Sequence, residues 1–255
     1  MRAWLAALLL ALVLPAQAGR NCEARQPDAD TVVRAMDLAG RTAHALDASG
    51  AQVVVIARAG QDLRKYHLRY SHLGFAYRDG GTWRIVHKLN HCGSARADLF
   101  RQGLGEFFLD DLFEYQAGYA VPNAELQAQL LPLLRDNAAA ARLHVPAYNM
   151  LAYPWATRYQ QSNQWAIETL ALAQDASATS RDRAQGWLRS QGYEPTVLTI
   201  GPLTRLGARA TAANIAFDDH PNAKRFRDRI ETVTVDSVFA WLERSGLAAP
   251  VQVVR

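Results

Sequence analysis

The chain has 255 residues, 49% of them hydrophobic, with 28 basic against 24 acidic residues and a formal net charge of +4. That is enough to bury a sizeable core in one domain or two small ones. The weak, dispersed positive charge contains no lysine–arginine block, which excludes a protein built to neutralise a nucleic-acid backbone.

The first residues read as an export leader. Arg2 supplies a positive start, residues 3–15 are an almost unbroken apolar run, and Ala16-Gln17-Ala18 forms the small-x-small pattern that a signal peptidase accepts. The run is shorter than the about 20 residues a membrane-spanning helix needs. We therefore expect a signal peptide over 1–18, cleaved near Ala18, and a single periplasmic α+β domain over 19–255 with no integral membrane segment. Cys22 follows Gly19-Arg20-Asn21, which does not fit a lipid-anchor site. Only Cys22 and Cys92 are available as cysteines, and in an oxidising space an even pair is most simply a disulfide. The competing use of Cys92 is as a nucleophile beside His91.

An amphipathic helix is predicted over 28–46, with Val32, Val33, Met36, Leu38 and Ala43 on its apolar side and Gly40 weakening its middle. Residues 52–57 read as a buried strand and 59–62 as a turn. Strands over 71–78 and 82–89 flank the hairpin signal Asp79-Gly80-Gly81, which makes them antiparallel; a fourth strand is expected over 112–120. Helices follow: one from Pro122-Asn123 to 134, disturbed by Pro132, one capped by Ser162, and one running from Ser180 to Gly192. A Gly/Ala-rich helix over 204–217 looks suited to close packing. A short strand over 231–235 and a last helix capped at Asp236-Ser237 complete the chain. Mixed strands and helices around a central hairpin indicate a small antiparallel sheet packed by helices.

The hairpin carries the chemistry. His72 and His87 stand on its two strands, close enough to share one face of the sheet. Hydrolases of the cysteine–histidine type need such a base, with a second group to orient it. The pair could alternatively bind a metal, but His44, His67, His91, His144 and His220 add no ligand spacing, so no metal or other cofactor is assigned. Phe217-Asp218-Asp219-His220-Pro221 offers two carboxylates and an imidazole to a divalent cation, or reads as a turn whose Asp side chains cap backbone N–H groups; the turn is favoured. The tract 107–115 mixes aromatics with acids and would line a groove or fill the core. Trp155, Tyr159 and Trp165 near Ser162 pose the same choice.

Gly60-Gln61-Asp62, Ser71-His72-Leu73-Gly74-Phe75-Ala76 and Trp83-Arg84-Ile85-Val86-His87 resemble the permuted branch of the NlpC/P60 papain-like hydrolases. That resemblance implies a papain-like fold, His72 as the base and His87 as its orienting group. The nucleophile would stand at the start of a later helix, here Tyr159-Gln160-Gln161-Ser162-Asn163-Gln164-Trp165. Ser162 occupies the position of the expected cysteine, a departure from that pattern, with Trp165 at the aromatic position. Over nearly the full mature length the chain resembles a closer group, the exported bacterial family called domain of unknown function 2145. It carries that family's motifs at 70–76, 86–93, 159–165 and 217–221.

Two readings follow. In the first, a Ser162–His72–His87 triad hydrolyses an amide or ester in a peptidoglycan peptide or another envelope component, with Asn163 or Gln164 donating to an oxyanion. In the second, Ser162 only caps its helix, and the protein is a non-catalytic binding or envelope-assembly factor on a degenerate papain-like fold.

Overall fold

The computed structural model describes residues 26–110 and 112–255. The leader over 1–18, Cys22 and Asp111 lie outside the described residues.

Helix α1 (Ala29–Ala48) starts at Asp28, whose carboxylate accepts from Thr31 N at 2.7 Å, an N-cap of the kind expected of Asp. Its buried residues are Thr31, Ala35, Leu38, Ala39, Thr42 and Leu46; of the predicted stripe Leu38 is buried and Ala43 packs against the same cluster. Val33 and Met36 are 57% and 41% exposed. The small side chains of Ala35 and Ala39 face the sheet and let the helix lie close to it, within the cluster that holds Ile56, Ile85 and Phe108.

Strands β1 (Val53–Ala59), β2 (His72–Asp79), β3 (Thr82–Asn90), β4 (Ala97–Gly103), β5 (Glu114–Ala120) and β8 (Gln252–Val254) form one six-stranded sheet. Its order is β4-β3-β2-β1-β5-β8, with antiparallel neighbours throughout. The β2–β3 turn is tight: Asp79 pairs with Thr82, and Gly80 and Gly81 take φ of 54° and 91°, which favours glycine at both positions. Strands β4 and β8 are additions to the predicted set. The β4 sequence Ala-Asp-Leu-Phe-Arg-Gln-Gly lacks clean alternation.

The short helix α2 (Leu104–Phe108) follows β4 and packs with α1 on one face of the sheet. The opposite face is covered by α3 (Ala124–Arg135), the small α4 (Asn137–Ala140), α5 (Ser162–Gln174), α6 (Arg181–Ser190) and α9 (Val235–Arg244), in a second cluster built around Phe75, Trp165 and Trp241. Asn123 caps α3 as predicted, and the helix continues past Pro132 to Arg135. Ser180 caps α6. The last helix is capped earlier than predicted, by Thr234 with Ser237 answering in a capping box.

A small two-stranded sheet, β6 (Thr196–Thr199) with β7 (Arg229–Thr232), joins α7 (Pro202–Thr211) and α8 (Asn222–Arg225) around Leu198, Ile200, Phe217 and Ile230. The predicted helix over 204–217 ends at Thr211, and none of its residues is buried. Rich in Gly and Ala, it offers the core little apolar surface, and its two leucines point outward.

Candidate active site

Four consecutive strands each contribute one side chain to a line across the sheet. Arg58 on β1 is the register partner of His72 on β2. His87 on β3 is diagonal to His72, and Gln102 on β4 is two residues from the partner of His87, Phe100. His72 Nε2 lies 2.8 Å from His87 Nδ1, and His87 Nε2 lies 2.7 Å from Gln102 Oε1. Gly74 makes the approach possible: a Cβ there would stand 3.0 Å from His87 Cβ and 3.1 Å from Ile85 Cγ2. Phe107 from α2 covers both rings, with centroid distances of 5.9 and 5.2 Å. Arg58 is anchored to the Phe107 carbonyl and to Asp110, the latter at 2.5 Å.

The partners dictate where the hydrogens sit. Gln102 Oε1 can only accept, so His87 Nε2 carries a hydrogen, and the Nδ1 of neutral His87 is an acceptor. His72 therefore donates from Nε2, and its own Nδ1 keeps a free lone pair. That nitrogen takes no hydrogen bond from the described residues and is not sealed from solvent. Burial and then the Arg58 guanidinium hold the His72 pKa well below 6.5, and the same two causes lower that of His87 to about 4. Both rings are neutral at physiological pH. The result is a Gln102–His87–His72 relay that presents one unprotonated nitrogen.

His72 lines a cavity of about 1270 Å³ that Gln61, Tyr148, Gln161, Ser162 and Asn163 also line. Ser162 is the first residue of α5, and Gln161, which makes no side-chain capping bond, is the cap. The prediction that Ser162 caps the helix is thus displaced by one residue, and the first turn carries its N–H groups uncapped at the cavity. Tyr148 stands beside Ser162 in the cavity wall; burial raises the pKa of its phenol, and the neighbouring Ser162 hydroxyl lowers it in part. The hydrogen bond that His72 Nε2 makes goes to His87, not to Ser162. The physical reason is the sheet: Leu73, Phe75 and Val86 face α5, whereas Gly74, Ile85 and the histidine pair face α2. The two sets of groups meet at the cavity, where β2 begins and α5 begins.

The proposed oxyanion residues divide. Asn163 lines the cavity, but its amide nitrogen is 3.4 Å from Val233 O, and its Oδ1 is buried without a partner. Gln164 does not line it; its amide N–H groups go to the carbonyls of Tyr153 and Pro154 at 3.3 and 3.2 Å. Trp165 is fully buried against Phe75, and its indole donates to Ala140 O, so it fills the core. Trp155 stacks edge-on with Tyr193, and Tyr159 reaches Asp218.

Other sequence features resolve into structure. Cys92 lines the cavity, and no described cysteine carries a free thiol. Asp219 accepts from Tyr153 N and faces the His220 ring, whose Nε2 donates to Glu231 O; Asp218 pairs with Arg158. The Asp218–His220 segment is therefore a tie between loops. Among the described residues no group of three or more His, Cys, Asp or Glu side chains is placed to hold a metal. In the tract 107–115, Phe107 and Phe108 are core residues, whereas Phe113 is 46% exposed.

The loop between α4 and α5, which supplies Tyr148 to the cavity, is held by a buried polar network. Lys88 Nζ donates to Val145 O and Gln160 Oε1 at 2.6 and 2.8 Å. Gln160 donates to Glu168, which also accepts two bonds from Arg181 and one from Gln185. Arg181 reaches on to the carbonyls of Ala156 and Thr157. Burial and then Arg181 bring the Lys88 pKa down to about 7.

Sequence reasoning finds the histidine pair and misses Arg58 and Gln102. Arg58 carries a readable signal, a charge closing the apolar run Val53-Val54-Val55-Ile56-Ala57. Gln102 carries none, because its strand has no clear pattern.

Among protein families, one described as an uncharacterised protein conserved in bacteria (DUF2145) matches residues 45–242. No curated protein and no solved structure matches the chain.

Proposed function

The chain belongs to the bacterial family DUF2145, and we propose that it is an exported periplasmic protein with a papain-like hydrolytic cleft acting on an amide or ester of an envelope component. The observation that carries this reading is the relay from Gln102 through His87 to His72, which leaves one basic nitrogen open in a cavity that Ser162 also lines. A neutral histidine so oriented takes a proton from a nucleophile and returns it to the leaving group, a contribution of roughly 10²- to 10⁴-fold. Its depressed pKa makes the imidazolium a strong acid, suited to protonating a poor leaving group. Ser162 is the nucleophile of this scheme, once its hydroxyl turns to the open nitrogen of His72. The uncapped first turn of α5 offers backbone N–H groups to the developing oxyanion.

The test is covalent labelling of the mature protein with a fluorophosphonate, followed by peptide mapping. Modification of Ser162, lost in Ser162→Ala and slowed at least tenfold in His72→Ala, is the expected result. Absence of labelling in the wild type would overturn the nucleophile assignment.

One observation favours a second reading. The Ser162 hydroxyl lies beside the Tyr148 phenol, and its helix packs on the face of the sheet away from the histidines. This fits a cleft that binds an envelope component without cutting it. Saturable binding of a muropeptide that is recovered intact, with no labelling of Ser162, distinguishes this case.

A further inference from the structure

Helix α7 has no buried residue, yet it carries two of the most exposed large apolar side chains in the described protein, Leu203 at 84% and Leu206 at 67%. The two are three residues apart and so share one helix face. Phe226, 70% exposed, stands just beyond α8. Arg205 ties the two regions together: its guanidinium bonds Ile200 O and Asp228 at 2.5 and 2.6 Å, which docks the inner side of α7 against the turn that carries Phe226. Isolated exposed leucines are ordinary, but three large apolar side chains projecting from one small subdomain are not.

The charge around them is one-sided. Residues 202–229 hold six basic and three acidic side chains. All three acids are already paired, Asp218 with Arg158, Asp219 with His220 and Asp228 with Arg205. Arg209, Arg227 and Arg229 are exposed and form no ion pair among the described residues, while Arg225 lies over the Phe226 ring at 5.0 Å. A short amphipathic helix with leucines outward and arginines at its flank is the pattern of a segment that lies in a lipid interface, apolar side chains among the acyl chains and cations at the headgroups. No described helix is long and apolar enough to cross a membrane, so a contact made by these helices is peripheral.

We infer that the outer face of α7, with the turn at Phe226, docks on an anionic lipid surface. Thr204, Ala208 and Thr211 of the same helix line the cavity, so docking brings the cavity wall to the membrane. The inference stands on exposure and charge alone and does not depend on catalysis.

Vesicle co-sedimentation of the mature chain tests it. The wild type is expected to pellet with vesicles of phosphatidylcholine and phosphatidylglycerol, to stay in solution with phosphatidylcholine alone, and to be released by high salt. Two variants split the surface: Leu203→Ser with Leu206→Ser, and Arg209→Glu with Arg227→Glu. Since α7 buries nothing and Arg227, beyond α8, is exposed and in no ion pair among the described residues, both should keep the wild-type circular dichroism and melting temperature. Each should weaken partitioning by about tenfold or more. The inference fails if the wild type ignores anionic vesicles, if it binds both lipid compositions equally, or if either variant binds as the wild type does. It also fails if the wild type is a dimer that the leucine variant dissociates, which would give the face to a second copy of the chain.

Discussion

His72 and His87 stand 2.8 Å apart, nitrogen to nitrogen, on adjacent strands, and Gln102 on the next strand decides which of them holds the shared hydrogen. An amide oxygen accepts and nothing more, so the direction of both bonds is set from the β4 end.

Replacing Gln102 by Leu should release that direction. In the wild type, ¹⁵N-resolved NMR at neutral pH is expected to find both rings as the Nε2–H tautomer. In Gln102→Leu the His87 ring has no fixed acceptor at Nε2, and a mixture of tautomers should appear. Labelling of Ser162 should slow by roughly tenfold or more, as losses of an orienting partner commonly do. Wild-type spectra showing Nδ1–H at His87 would contradict the relay.

The same pair makes stability depend on pH. The pKa of His87 is about 4 in the folded protein against an ordinary value of 6.5, and that of His72 is shifted in the same direction. Between those values the unfolded chain binds a proton that the folded chain refuses, so unfolding free energy rises with pH across this window. The stabilisation is complete above pH 6.5 and is lost as pH falls towards 4, by up to about 3 kcal/mol for His87. Urea unfolding at a series of pH values should show this slope, and His87→Gln should flatten it. An unchanged slope in that variant would show that other groups carry the acid sensitivity.

Glu168 is the carboxylate that pairs with Arg181 and faces Lys88 in the buried network, and its side chain is fully buried. Substituting Glu168→Leu strands the Arg181 cation away from water, removes the carboxylate that faces Lys88, and leaves Gln160 and Gln185 each short of an acceptor. The expected loss is about 3–5 kcal/mol, read as a lower urea midpoint with an unchanged slope. A loss below about 1 kcal/mol would mean that the network is not closed in solution.

The β2–β3 hairpin is legible in the sequence because alternating apolar residues flank Asp79-Gly80-Gly81, and its register follows once the turn is known. That is enough to place His72 and His87 on one face. The family motifs are legible for the same reason, being contiguous. What the residues do not disclose is long-range. The pairing of β4 beside β3 is accompanied by a bridge between Arg96 and Ala147, so neither Gln102 nor its role can be read from local pattern. Nor can the side of the sheet on which α5 packs, since it is set by Trp165 meeting Phe75. Consequently Ser162 is brought to the same cavity as His72 without being bonded to it. On α1 apolar size alone is a poor guide to the buried stripe: Leu38 and Leu46 are buried, but Val33 and Met36 are exposed while Ala35 and Ala39 face the sheet.

Cys92 lies just past the end of β3, at the cavity, and no described cysteine is free. With Cys22 the only other cysteine in the chain, a Cys22–Cys92 bond is the pairing that an oxidising compartment would produce. Such a bond closes a long loop through α1, β1 and the β2–β3 hairpin, and the chain-entropy argument assigns it about 4 kcal/mol. Exported protein, digested without reductant, should yield a cross-linked peptide containing both cysteines and a mature terminus near Gly19. Cys92→Ser should lower the melting temperature by several degrees. If the tie holds only the chain before α1, fluorophosphonate labelling of Ser162 should survive that substitution; if it shapes the cavity rim, labelling should fall with it. A free thiol titre of two in the exported wild type would remove the staple, and with it the reason to exclude Cys92 as a nucleophile.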